Sequence, residues 1–100
     1  METKSFNELI NSNQPVVIDF FAEWCGPCKT MKPVLENLKS KLGELVKVVK
    51  IDVDKNPEIA TQLEIRSVPT LMIYQNGELK WKKIGTSSVS EMESVITKLA

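Results

Sequence analysis

The chain has 100 residues, 42% hydrophobic and 26% charged, which suits one compact globular domain. Thirteen basic residues offset thirteen acidic ones, so bulk charge gives no reason to expect nucleic acid or a membrane surface as a partner. Histidine is absent, which removes the usual general base, metal ligand and pH switch together, and two cysteines are too few for a disulfide scaffold.

The opening METKSFNELI lacks the basic start and apolar stretch of a signal peptide. No run is long enough to span a bilayer, so a soluble, cytoplasmic protein is expected. Ser5 and Glu8 have capping-box spacing, and Phe6, Leu9 and Ile10 form a short apolar stripe, which predicts a brief first helix. Asn11, Ser12, Asn13 and Pro15 end it. Residues 16–21, VVIDFF, are β-rich and nearly all apolar, the pattern of a strand covered on both faces.

Residues 22–28 turn into a long helix in which Met31, Val34, Leu35, Leu38 and Leu42 recur at helical spacing and Gly43 supplies the stop. Pro33 inside that helix predicts a kink. Residues 45–53 read as a second strand, and Asn56-Pro57 as the cap and first residue of a short helix carrying Ile59, Ala60 and Leu63. Residues 70–74 and 79–84 read as a hairpin closed by Asn76-Gly77, with Gly85 ending the second strand. Ser88 and Glu91 cap a last helix whose apolar face is Val89, Met92, Val95, Ile96 and Leu99. A βαβ unit followed by ββα implies a mixed α/β sheet with helices on both faces.

Two features in this scaffold carry chemistry. Cys25-Gly26-Pro27-Cys28 lies between a strand and a helix start, where free N–H groups and the positive end of the helix dipole favour a thiolate. Pro27 needs no hydrogen bond in a first turn, and Gly26 permits close approach by another chain. A pair this close makes a poor staple, because it closes almost no loop, but a good reagent. Cys25 is expected to be the more exposed and more acidic sulfur and to attack a substrate disulfide, with Cys28 resolving the mixed disulfide. A zinc half-site needs ligands that the chain does not supply. The second feature is Asp19, a carboxylate in the middle of an apolar strand. Two readings of it stand: a buried proton acceptor for Cys28, with Lys50 as a candidate partner, or a side chain that reaches solvent past the strand end.

Trp24-Cys25-Gly26-Pro27-Cys28 is the active-site motif of the thioredoxin family, and the chain resembles that family over nearly its whole length. The resemblance implies the thioredoxin fold, with a mixed four- to five-stranded sheet and one domain spanning residues 1–100. It implies catalysis by Cys25, Cys28 and Asp19, tuned by Gly26, Pro27, a buried Lys50 and a cis Pro69 facing the disulfide. It also implies a substrate surface made from Trp24, Val68, Thr70 and Gly85, where the Val68 backbone pairs with an extended client segment. Pro33 matches the kink proline and Gly77 the hairpin glycine.

The activity implied is that of a protein-disulfide reductase, an electron carrier in cell redox homeostasis. It binds no cofactor and no metal, working through a redox-active Cys25–Cys28 disulfide. A monomer is expected, serving disulfide-containing client proteins and recharged by a flavoprotein thioredoxin reductase that uses NADPH. Gly26-Pro27 is the pairing associated with reductants, whereas relatives that insert or isomerise disulfides usually carry a histidine there. Phe21 stands where many members have a second tryptophan, Ser67 replaces a frequent glycine, and the short N-terminus leaves a first edge strand in question. Trp81, on the hairpin, reads as packing. The rival readings are a reductant dedicated to one client, a non-catalytic binding module, and a peroxidase or glutaredoxin-like enzyme.

Overall fold

A computed structural model describes residues 1–99. Its elements, in chain order, are α1 (Thr3–Ile10), β1 (Val16–Phe21), α2 (Gly26–Leu42), β2 (Lys47–Asp52), α3 (Pro57–Gln62), β3 (Thr70–Gln75), β4 (Glu78–Ile84) and α4 (Val89–Leu99). The four strands form one sheet in the order β2-β1-β3-β4. β1 runs parallel to β2 and antiparallel to β3, and β3 pairs antiparallel with β4.

Alternation along β1 divides the core between the two faces of the sheet. Val17 points to the side covered by α2 and α4, where it joins Met31, Leu38, Ile73, Met92 and Ile96. Val16, Ile18 and Phe20 point to the side covered by α1 and α3, among Phe6, Ile10, Ile59 and Met72. Phe6 anchors α1 there, with its ring 5.7 Å from that of Tyr74 in an edge-on arrangement. Trp81 packs against the α2/α4 side, as its place on the hairpin suggested.

The turn chemistry acts much as the sequence predicts. Asn76 and Gly77 both have positive φ, the requirement of a tight two-residue hairpin. Their N–H groups donate to Ser12 and Ile10 carbonyls, tying the hairpin to the end of α1. Gly43 stops α2 at φ 54°, and its N–H donates to the Lys39 carbonyl. Ser88 caps α4, its Oγ accepting from the Glu91 N–H over 3.1 Å.

Two expectations change, and the question of a first edge strand is answered. Helix α1 begins at Thr3 behind Glu2, so Ser5 lies inside the helix and caps nothing; the burial of Phe6 and Ile10, one turn apart, holds the helix in place. Leu45 belongs to a 3-10 turn, Gly43–Leu45, and β2 starts later, at Lys47. The sheet has four strands among the described residues, with the segment that an extra edge strand would use already helical from Thr3. Among the described residues β2 is therefore an edge strand, flanked by β1 on one side only.

Candidate active site

Strand β1 runs out at Phe21, and the chain turns through Ala22 to deliver Cys25 as the N-cap of α2. Cys25 keeps an extended backbone while its Sγ accepts the N–H of Cys28 over 3.2 Å. A capping position usually holds serine, threonine or aspartate, and here sulfur takes that role. Pro27 lies in the first turn, where its missing N–H costs nothing. Cys25 and Cys28 are joined in a disulfide, with their Cα atoms 5.4 Å apart.

A second segment closes over the pair. The Val68 carbonyl oxygen lies 3.6 Å from Cys25 Sγ, and the Val68–Pro69 peptide is cis, as the resemblance implied. The Gly85 N–H donates to the Pro69 carbonyl over 2.8 Å, which joins the end of β4 to the same segment. Gly85 has φ 111°, a conformation that side chains other than hydrogen rarely adopt. Ile84 beside it is 64% exposed, an apolar side chain that the sequence did not mark as part of this face.

Several expected site residues are placed differently. Both cysteine residues are nearly buried, 3% and 4% exposed, in a small cluster with Ala22 against which Phe21, Val53 and Val68 pack. Thr70 does not face outward. Its side chain is buried and its Oγ1 donates to the Ser67 carbonyl over 2.6 Å, bracing the loop from within. Lys50 is exposed, because β2 lies at the edge of the sheet. Its ammonium sits 4.7 Å above the Phe21 ring, so that aromatic holds a cation beside the site.

Asp19 is fully buried, which excludes a side chain reaching solvent past the strand end, and neither carboxylate oxygen has a hydrogen-bond partner among the described residues. Burial pushes its pKa from 3.8 up to about 6, against the opposing pull of the Lys50 charge. Lys50 is its register partner on β2, with side chain on the same face, yet the two form no ion pair among the described residues. Trp24 is 72% exposed, and its Nε1 donates to Asp54 Oδ2 over 2.8 Å. Asp54 gave no signal in the sequence, since its contact spans thirty residues.

The site is thus a disulfide at a helix N-terminus with an unpartnered carboxylate in the strand leading to it. Beside it lie a large exposed indole and an apolar rim. Among the described residues no cluster of His, Cys, Asp or Glu is arranged to hold a metal ion. A helix-capping cysteine bonded to one three residues on is built for reversible exchange of disulfides.

Comparison with known proteins agrees. The sequence pattern of the Thioredoxin family matches residues 1–98. The chain is 47% identical over 83 residues to a thioredoxin of Rickettsia bellii, covering 82% of the chain and 79% of that protein. It is 45% identical over 91 residues to a thioredoxin of the alga Porphyra purpurea, covering 91% and 85%. Mitochondrial thioredoxin 3 of Saccharomyces cerevisiae, in its oxidised form, superposes with TM-score 0.83 at 40% identity, covering 95% of this chain and 88% of that one. Thioredoxin of Trypanosoma brucei brucei superposes with TM-score 0.87 at 26% identity, covering 98% and 85%.

The fold and the paired cysteines define a protein-disulfide oxidoreductase, acting by thiol–disulfide exchange on disulfide-containing substrates and depending on a reductase for electrons. The chain belongs to the thioredoxin family. The family carries its electrons in the cysteine pair, and no bound cofactor is expected.

Proposed function

We propose that the chain is a general protein-disulfide reductase in which Cys25 attacks, Cys28 resolves and Asp19 handles the proton. In the reduced protein the helix N-terminus stabilises the Cys25 thiolate. That thiolate attacks one sulfur of a client disulfide, forming a mixed disulfide and releasing the other client sulfur as a thiolate, which takes a proton. Cys28 then gives its proton to Asp19, directly or through water, and attacks Cys25 Sγ. The client's second sulfur leaves as a thiolate and is protonated in turn. The client gains two electrons and two protons, and the Cys25–Cys28 disulfide is re-formed.

The observation carrying this reading is the capping position of Cys25, whose sulfur already accepts the Cys28 N–H at the helix start. A pKa of about 6 supports the part given to Asp19, which is then ionised at neutral pH yet close enough to protonation to accept and return a proton. Lys50, Gly26, Pro27 and Pro69 tune the pair. Trp24, Val68 and Gly85 offer the client a surface, to which Ile84 adds apolar area.

The molecule works as a single domain and as a monomer, without nucleic acid or membrane; among the described residues no helix is long and apolar enough to cross a bilayer. A flavoprotein thioredoxin reductase drawing on NADPH recharges it, and the cytoplasm is the compartment that fits this electron transport. The test is insulin-disulfide reduction driven by NADPH and thioredoxin reductase. Wild type turns over and Cys25→Ser does not; turnover that survives the loss of Cys25 would sink the mechanism.

A further inference from the structure

Strand β2 has one covered side and one open side. In a parallel ladder alternate residues bond to the neighbouring strand. The Lys47 N–H donates to the Pro15 carbonyl and the Val53 N–H to the Phe21 carbonyl, so the odd-numbered residues face β1. The N–H and C=O groups of Val48 and Lys50 therefore point away from the sheet, at an edge that no other strand covers among the described residues.

A groove follows this edge between β2 and α2. Its upper part, about 220 Å³, is lined by Phe21, Ala22 and Cys28, with Lys29, Lys32 and Lys50 at the rim. Its lower part, about 400 Å³, shares Lys32 and Lys50 and continues over Leu35 and Val48 to Lys39. The groove thus runs from the open strand edge to the cysteine pair. Lys29, Lys32 and Lys50 form no ion pair among the described residues. Two carboxylates border the groove: Glu36 below, and Glu23 above, which is bound by Lys55.

We propose that the open edge of β2 is a docking strand for acidic, extended segments of client proteins. Such a segment adds to the sheet through the outward groups of Val48 and Lys50 and lies along the lysine-rimmed groove that ends at Cys28. Lysines on a sheet edge discourage neutral or basic strands from pairing with it. The same charges attract an acidic strand, so they select the occupant instead of merely blocking the edge. Alternation serves this arrangement: acidic side chains of the added strand face Lys32 and Lys50, and apolar ones face the side of Val49 and Val53. The proposal rests on the disulfide-reductase reading, because it gives clients a second foothold beside the exchanging sulfurs.

Binding is measured with a cysteine-free octapeptide of alternating Glu and Val and its Lys–Val counterpart, titrated into the full chain at low salt. The Glu–Val peptide is expected to bind about tenfold more tightly than the Lys–Val peptide, with the difference shrinking as salt rises. The amide signals of Val48 and Lys50 shift and their hydrogen exchange slows. Lys32→Glu weakens the Glu–Val peptide several-fold, and Val48→Pro, which removes an outward N–H and no ladder bond, abolishes protection at Lys50. Should Val48→Pro fail to fold, Lys32→Glu at its exposed helix position decides alone.

Equal binding of the two peptides overturns the proposal. So do shifts confined to Trp24 and Val68, or Val48 and Lys50 signals that change only with protein concentration, which marks a second copy as the occupant. The peptides carry no sulfur. Failed binding leaves the reductase reading intact, and failed insulin reduction leaves the binding result intact.

Discussion

The indole Nε1 of Trp24 donates to Asp54 Oδ2 over 2.8 Å, tying the residue before the cysteine pair to the loop after β2. An indole this exposed would otherwise swing freely over the face proposed to meet a client. One net hydrogen bond is worth about 1 kcal/mol, so Asp54→Ala is expected to raise KM for a protein client by about fivefold. The chemistry does not involve Asp54, so kcat holds. Asp54→Asn keeps an acceptor and restores most of the loss. Tryptophan fluorescence read in a Trp81→Phe background reports the loosened indole, and an unchanged KM in Asp54→Ala would remove its positioning role.

Asp19 sets a pH dependence with a definite sign. Its pKa rises from 3.8 in the unfolded chain to about 6 in the folded one, because burial disfavours the charge. The stability tied to its proton is fully present below pH 3.8 and is lost as pH rises through about 6. The shift of about two units corresponds to about 3 kcal/mol at most. Asp19→Asn, similar in shape but never charged, is expected to be more stable than wild type by about 2–3 kcal/mol at pH 8 and nearly equal to it at pH 4. Denaturant midpoints at the two pH values check this, and an equal difference at both would mean that the charge is not the cause.

The same group is expected to leave its mark on exchange kinetics. Above pH 6 the carboxylate is ionised and ready to take the Cys28 proton; below it the resolving step slows. Stopped-flow decay of a preformed mixed disulfide should carry this inflection in wild type and lose it in Asp19→Asn. The first attack by Cys25 depends far less on Asp19. If both steps slow equally, the assignment to resolution fails.

Much of this architecture was legible because apolar spacing and turn residues act locally. Met31, Leu35, Leu38 and Leu42 declare a helix whatever surrounds them, and Asn76-Gly77 declares a hairpin turn. The cysteine pair declares itself by its place at a strand-to-helix junction. The misreadings share a different cause. Whether Lys50 is buried depends on whether a strand lies beyond β2, and no residue in β2 records that none does among the described residues. Thr70 could face a client or the Ser67 carbonyl, and only the path of the loop decides. The low exposure of the cysteine pair likewise comes from Phe21, Val53 and Val68, which converge from three segments. Asp54 and Ile84 were invisible for the same reason: their importance lies in what they stand beside.

The two cysteines divide the reaction unequally, and single substitutions separate their parts. In Cys28→Ser the attacking sulfur remains at the helix N-cap, but nothing can displace the client, so mixed disulfides accumulate. In Cys25→Ser the remaining thiol belongs to Cys28, within the first turn of α2 and not at its capping position, and few adducts form. Non-reducing gels of each variant incubated with a disulfide-bonded client are expected to show high-mass adducts for the first and almost none for the second. Equal trapping by both would reverse or erase the order of attack.

Gly85 offers a final check on how the docking face is held. Its φ of 111° is one that an L side chain rarely adopts, although a Cβ built there meets no atom within 4 Å. Substitution therefore acts through backbone strain, not collision. Gly85→Ala is expected to cost about 1–3 kcal/mol of stability. Relief of that strain would rotate the peptide whose N–H donates to the Pro69 carbonyl, moving the Val68–Pro69 segment relative to Cys25. KM for protein clients should rise together with the loss of stability. A small disulfide such as dithiobisnitrobenzoate, which needs no docking face, should be reduced at the wild-type rate. A variant that reduces both substrates normally would show that Gly85 shapes only the end of β4.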